Sequence, residues 1–382
     1  MNLFSDFTYA LDDPVHGDQI EQADRRFIVG ARAFQRRRAK WHGHLMQNTV
    51  GVQVRNDDIG ELALYHTQAR VRLQTLTQAA VLESQAGIYA QNETEWKPWL
   101  RTLVGVRADV TRDRVDALDP VNSGTASASL GSPKGGVTVG PWRGTELYVN
   151  AGTGFHTNDA RGTTITRDPD GQPVDRVTPL VRAKGAEFGI RSVSVPHLQT
   201  TLTAWTLGLD SELVFSGDSG TTEPSRPSRR HGVEWTNYFR PVPWFVMDFD
   251  ASWSRARFTL ADPVGQWVPE AIGTVLSGGV ALENLHRTDA AIRWRYFGPR
   301  ALVEDDSVRS KATSLVNLEG GYRLTKSLRL NLEVFNLFSA ADSDIDYFYV
   351  SRLPGEPADG VADVHTHPTI PRTARVSLHV GF

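Results

Sequence analysis

The sequence predicts an all-β chain, an antiparallel up-and-down transmembrane β-barrel. Three observations carry that expectation. Alternating apolar and polar residues recur from end to end, the period of a strand with two different environments. The connections between these segments alternate long and short. The chain also closes on such a segment, RTARVSLHVGF. There Ala374, Val376, Leu378, Val380 and Phe382 form one face, and Thr373, Arg375, Ser377, His379 and Gly381 form the other. A barrel needs its last strand paired, because only closure removes a sheet edge inside a bilayer.

Composition narrows the field. The 382 residues carry 41 Lys and Arg against 44 Asp and Glu, with both signs interspersed, and no nucleic-acid face is expected. There is no cysteine, which excludes a disulfide framework and a thiolate metal site. Mean hydropathy is negative, and no apolar run reaches the length of about 18 residues that a helical span requires. Barrel strands need only about 10 alternating residues each, so they escape that criterion. The opening stretch MNLFSDFTYALDDP has no basic region, apolar core or cleavage site and does not read as a signal peptide.

Sixteen strands are expected, near residues 3–11, 26–41, 44–57, 79–96, 98–112, 126–141, 145–158, 181–195, 198–216, 228–241, 244–261, 272–284, 287–302, 311–324, 327–339 and 372–382. The clearest is FVMDFDASW. Phe245, Met247, Phe249, Ala251 and Trp253 oppose Val246, Asp248, Asp250 and Ser252. In SLRLNLEVF, Leu328, Leu330, Leu332 and Val334 oppose Arg329, Asn331 and Glu333.

Short connections fall at His42–Gly43, Trp96–Pro98, Pro141–Gly144, Pro196–His197, Pro241–Pro243, Leu285–His286 and Thr325–Lys326. Long ones are 12–25, 58–78, 113–125, 159–180, 217–227, 262–271, 303–310 and 340–371. Strict alternation puts all long loops at one end of the sheet, as in outer-membrane barrels. Trp41, Trp96, Trp99, Trp142 and Trp244 gather at the short-turn end, where an interfacial aromatic girdle belongs. A cylinder of this size is too wide for side chains to fill. A soluble propeller would show a repeat of about 40–50 residues, and none is found.

Four stretches resemble the C-terminal part of the β-barrel of a TonB-dependent outer-membrane receptor. They are GIYAQNETEWKPWLRTLVGVRAD (87–109), ELYVNAGTGFHTNDARG (146–162), LRLNLEVFNLF (328–338) and RTARVSLHVGF (372–382). The resemblance covers roughly residues 87–382, and its second stretch is the most specific. It implies about 16 strands present of a receptor barrel of about 22. Residues 1–382 then form a partial barrel domain, expected to lack signal peptide, TonB box and plug. The implied role is TonB-dependent uptake of siderophore-metal complexes, vitamin B12 or similar scarce ligands. The implied location is the outer membrane of a Gram-negative bacterium. Implied partners are outer-membrane lipid, the barrel-assembly machinery reading Phe382 as a C-terminal sorting signal, and an unknown small ligand such as a siderophore-metal complex. The TonB complex is implied for the intact receptor alone. The competing expectations are a passive outer-membrane pore, a non-functional remnant of a receptor gene, or a soluble β-rich module.

Candidate ligand contacts lie in the long loops. His156, Asn158, Asp159 and Arg161 cluster at the outer end of a strand. Arg161 offers a contact to an anionic ligand, and the same residues suit an Asx-type loop cap. His365 and His367, two apart, share a face and suit a metal or ligand as well as plain solvation. No enzyme activity, cofactor or resident metal is expected. Gly217–Asp218–Ser219–Gly220 copies the surroundings of a serine-protease nucleophile, but turn chemistry accounts for it. In Arg36–Arg37–Arg38 one member must face outward, snorkelling to headgroups or lying beyond the membrane. Asn92–Glu93–Thr94 matches a glycosylation acceptor, which carries no meaning in a bacterial outer membrane.

Overall fold

In the computed structural model the described residues are 1–5, 9–169, 171–211, 214–216, 221–223 and 226–381. The first strands are β1 (Asn2–Phe4), β2 (Ile20–Trp41), β3 (His44–Gln68), β4 (Val71–Lys97) and β5 (Leu100–Ala117). Next come β6 (Gly124–Trp142), β7 (Thr145–Thr157), helix α1 (Ala160–Thr164), β8 (Leu180–Ser192) and β9 (Leu198–Leu209). A small hairpin, β10 (Val214–Ser216) and β11 (Thr221–Glu223), precedes β12 (Ser228–Val242), β13 (Phe245–Phe258) and β14 (Thr274–Leu285). The chain continues through β15 (Thr288–Phe297), β16 (Thr313–Arg323) and β17 (Leu328–Phe335). A second hairpin, β18 (Ser343–Ser351) and β19 (Val361–Pro368), leads to β20 (Thr373–Val380).

Among the described residues, sixteen of these strands form one antiparallel sheet in chain order, from β1 to β17 and then β20, with the two hairpins apart. Each pairs with its sequence neighbour in the sheet, and each expected strand has its counterpart there. Among the described residues no helix is long and apolar enough to cross a membrane.

The turns follow from backbone chemistry. His42–Gly43 and Arg143–Gly144 both have positive φ at two successive residues, the mirror-image turn that suits strand twist. The connection expected at 58–78 is instead the continuation of two strands, joined at Ala69–Arg70, where φ is 49° and 66°. Neither residue announces that turn, since Asn, Asp and Gly normally fill it. Register shifts between Ile59 and Leu62 and between Leu64 and Tyr65 also interrupt the alternation. The loops at 12–25 and 113–125 are shortened in the same way, because β2 begins at Ile20 and β5 runs to Ala117. The loop 340–371 contains the β18–β19 hairpin, and the segment expected at 3–11 supplies only β1.

One face of the sheet is apolar and open. Val50, Val52 and Val54, Ile88, and Val104, Val106 and Val110 are all exposed. At the other end of the sheet Ile292, Leu330, Leu332, Val376, Leu378 and Val380 continue the band. Such an area of exposed β-branched and aliphatic side chains is what lipid would cover. Starting from the short turns, about ten residues of each strand suffice to cross. In β3, β4 and β5 these are about 46–55, 86–96 and 100–110, and Asn56, Ser84 and Arg112 mark the outward change to polar. Trp41, Trp99, Trp142 and Trp244 are exposed at the opposite rim. Trp41 meets Trp96 edge-on at 6.4 Å, and Trp99 stacks on Trp142 at 6.4 Å.

The other face is polar and concave. Its side chains reach across an intervening strand, which flat sheets with strands about 4.8 Å apart discourage. Arg32 on β2 donates to the Tyr89 hydroxyl on β4 at 2.9 Å. Tyr148 on β7 bonds Thr203 on β9 at 2.7 Å, Arg293 on β15 pairs with Asp248 on β13, and Arg329 on β17 pairs with Asp289 on β15 at 3.1 Å. Arg375 and His379 of the last strand lie on this face, with Arg375 held by Glu333 at 2.6 Å. Of the arginine run, Arg36 and Arg38 share the polar face and Arg37 faces outward opposite Asn48 near the short-turn rim.

Curvature brings the ends of the sheet together at the long-loop side. The Ala10 amide donates to the Arg352 carbonyl at 2.8 Å. The Tyr9 ring meets Tyr349 and His365 edge-on at 6.3 and 5.2 Å. Among the described residues β20 pairs with β17 and β1 with β2, and no ladder joins β20 to β1.

Candidate functional site

The inner face is richest in charge where β3, β4 and β5 rise above the membrane-spanning part. Strand register sets Asp57 opposite Glu83, and Glu83 opposite Asp113. Three carboxylates thus stand in a row across adjacent strands. Such like-charge neighbours cost stability unless they are compensated. Arg55 compensates one of them by a two-pronged contact with Asp57, 2.7 Å on each arm. Thr111 donates to Asp113 at 3.2 Å. Glu83 makes no ion pair among the described residues. Burial first, then the charges of Asp113, Asp159 and Asp57, push its carboxyl up to about 7.

The lid of this row comes from the β7–β8 loop. Asp159 accepts the Arg161 amide at 2.9 Å and so caps α1. Its carboxylate also holds the Arg161 guanidinium, at 2.8 and 3.0 Å. Burial opposes ionisation of Asp159, but the Arg161 contacts outweigh it and keep the carboxyl below its usual range. Ala160 then packs on Ile59, Ala79, Val81 and Val115, an apolar cluster on the inner face just above the carboxylate row. Asn122 ties the neighbouring loop down, its side-chain oxygen accepting the Thr166 and Arg167 amides at 2.8 and 3.1 Å.

The structure separates the expected contacts into two places. His156 ends β7, with Nε2 at 3.4 Å from the Ser211 carbonyl. Asn158 is buried and donates to the Thr178 carbonyl at 2.7 Å, while its Oδ1 has no partner among the described residues. These two, with Asp159 and Arg161, form one loop root beside the carboxylate row. His365 and His367 lie on β19, opposite Tyr347 and Ile345. His365 stacks on Tyr349 with centroids 3.7 Å apart and bonds Ser351 at 2.9 Å through Nε2. Burial pushes its pKa down, more than nearby Asp363 raises it. His367 is exposed. Asp57, Glu83 and Asp113 were not among the expected site residues. Each sits on the polar side of an alternating strand, but only register across three strands makes them neighbours.

The arrangement offers a proton-accepting carboxyl at neutral pH and a set of arginines already engaged. Among the described residues, no group of three or more His, Cys, Asp or Glu is placed to hold a metal ion. The Gly217–Gly220 motif and Phe382 lie outside the described residues.

A family model described as TonB dependent receptor-like, beta-barrel, matches residues 2–337. The chain belongs to the TonB-dependent receptor β-barrel family. Members of this family are transport receptors rather than enzymes, and they reside as β-barrels in the outer membrane. The wall described above is therefore receptor wall, with a lipid-facing band and an inner face. Solved structures agree in fold. The closed form of the ferric-catecholate import receptor Fiu from E. coli K12 shares 15% identity, with a TM-score of 0.67 over 95% of this chain and 55% of that one. The copper transporter OprC shares 16%, with a TM-score of 0.70 over 95% and 57%. The pyoverdine receptor FpvA from Pseudomonas aeruginosa PAO1, bound to pyoverdine, shares 14%, with a TM-score of 0.67 over 95% and 54%. The chain thus spans about half the length of the solved structures it matches. No curated protein matches it by sequence.

Proposed function

We propose that this TonB-dependent receptor barrel serves uptake of a scarce, metal-bearing small ligand, such as a siderophore-metal complex, across the outer membrane of a Gram-negative bacterium. The observation that carries the proposal is the wall itself: sixteen strands with an apolar outer face, a charged inner face and folded loops at one rim. The neighbours with this wall include receptors named for ferric catecholate, ferric citrate and pyoverdine. Energy coupling through TonB belongs to the whole protein in this proposal, as it does in intact members of the family.

The loop residues divide the work. Asn158, Asp159 and Arg161 shape the root of the β7–β8 loop, and His156 and His365 anchor it and the β18–β19 hairpin. His367 is the one left open to a ligand among these six by exposure. The test is uptake of radio-iron chelates, cobalamin and copper by cells with and without the gene. Loss of uptake of one chelate class on deletion is the expected result. Unchanged uptake of all of them, together with a large ungated conductance of the purified chain in planar bilayers, would replace this reading with a passive pore.

A further inference from the structure

A second charged cluster lies on the opposite, outward face, where the receptor reading places no ligand. Trp267, in the β13–β14 connection, pairs in the backbone with Arg257. The Arg257 guanidinium lies 2.9 Å from the indole centroid. Arg309, from the β15–β16 connection, lies 5.4 Å away, and Arg255 lies 6.0 Å away. Three cations therefore surround one ring. The neighbouring strand adds a fourth, since register places Arg229 opposite Arg257.

Compensation is scarce here. Arg309 has Asp306 at 2.5 Å. Arg229, Arg255 and Arg257 make no ion pair among the described residues, although carboxylates nearby are spent elsewhere, Glu304 on Arg226 and Glu270 on Arg300. Like charges directly opposite on paired strands are unfavourable. Stacking on an indole offsets part of that cost for Arg257, and Arg309 donates to Asp306 and to the Pro299 carbonyl, so among the described residues it is Arg229 and Arg255 whose N–H donors are left unfilled.

The height of the cluster on the wall identifies what fills them. The outward residues of β13 below it are Met247, Phe249, Ala251 and Trp253, of which Met247 and Trp253 are exposed, and Val233 and Trp235 of β12 are exposed beside them. From Phe245 at the short-turn rim to Arg255 is ten steps. At about 3.3 Å per residue and a tilt near 45°, that is a rise of roughly 25 Å, the height of the apolar band of such barrels. Arg255 and Arg257 therefore emerge where acyl chains end and headgroups begin, at the long-loop rim. Trp253 and Trp267 sit at the same boundary, which favours amphipathic rings.

We propose that Arg229, Arg255, Arg257 and Arg309, around Trp267, form a site for the phosphate group of a membrane lipid in the leaflet at the long-loop rim. Guanidinium forks match phosphate oxygens, and partial desolvation at the rim strengthens the contact. The lipid's acyl chains continue down the apolar face beneath, so headgroup and tail are served by one continuous surface. The site rests on the lipid-facing reading of the outer face and adds to it a headgroup preference.

The test uses the full chain folded in dodecyl maltoside micelles, with lipid retention read by native mass spectrometry. Phosphatidic acid is compared with diacylglycerol, which has the same tails and no phosphate. At least tenfold stronger retention of phosphatidic acid is expected. The double variant Arg255→Gln and Arg257→Gln should lose that preference, and Arg143→Gln, which removes one such charge at the opposite rim, should keep it. Equal retention of the two lipids by the wild type, or equal loss in Arg143→Gln, would overturn the site. Displacement by inorganic phosphate at the lipid's own concentration would show a free-phosphate site and overturn the lipid assignment. If the double variant does not fold, Arg229→Gln, on the neighbouring strand opposite Arg257, decides on the same readout. A chain that retains neither lipid overturns the lipid-facing reading as well, a different result from lost preference.

Discussion

Glu83 shows how a single side chain takes its chemistry from neighbours far away in sequence. Its carboxyl is raised from 4.5 to about 7 by burial and by Asp113, Asp159 and Asp57. A carboxyl whose pKa rises on folding binds protons on folding. Its favourable contribution is therefore complete below pH 4.5 and is lost as pH rises through about 7. Glu83→Gln removes the charge and keeps the shape. At about pH 8 the variant should melt several degrees higher than wild type in detergent, and the gain should shrink towards zero near pH 4.5. A gain that is the same at both pH values would show that charge is not the cause. Tyr89 teaches a related lesson on the membrane-spanning part. Its ring covers Gly51 so closely that a Cβ there would stand 2.5 Å from the phenol. Glycine on one strand and tyrosine on the next form one filled position on the inner face.

At the scale of elements, the β18–β19 hairpin acts as a clasp. It reaches the segment after β1 through the Ala10–Arg352 hydrogen bond and the Tyr9, Tyr349 and His365 rings. His365 faces Tyr9, Tyr349, Ser351 and Asp363, and burial lowers its pKa below 6.5. A histidine depressed on folding carries no penalty above 6.5, and the clasp loses stability as pH falls from there to the folded value. Hydrogen exchange in residues 343–368, corrected for intrinsic rate, should therefore speed up several-fold between about pH 7.5 and about pH 5.5. His365→Phe keeps a ring in the stack and should remove that dependence. Persistence of the dependence in the variant would place the titrating group elsewhere.

At the scale of the molecule, the two faces of the wall make opposite demands. Val106 lies mid-band on the outward face, whereas Gln91 lies on the inner face beside Gly105. Val106→Arg should destabilise the chain folded in a bilayer by about 2–4 kcal/mol, as a charge at the midplane facing lipid does. Gln91→Arg should cost well under half of that. Equal costs, measured by denaturant unfolding from vesicles, would mean that the outward face does not meet lipid. The same two-sided logic separates the sites. Ligand chemistry belongs to the inner face and loops, and the arginine–tryptophan cluster belongs to the lipid rim.

The sequence by itself determined the number and order of the wall strands and the face each residue takes. Alternation is local: Val104, Val106 and Val110 announce one environment and Arg107 and Asp109 the other, whatever else the chain does. It also placed the aromatic rim at Trp41, Trp99, Trp142 and Trp244, because tight turns are local as well. The tertiary structure decided what lies beside what. The Ala69–Arg70 turn was silent because its residues adopt positive φ without Asn or Gly. The row Asp57, Glu83 and Asp113 exists only through register across three strands. The caged Trp267 exists only because two loops descend on the end of β13. Periodicity fixes the direction a side chain points, whereas its neighbours depend on register, bulges and loop closure, which involve residues distant along the chain.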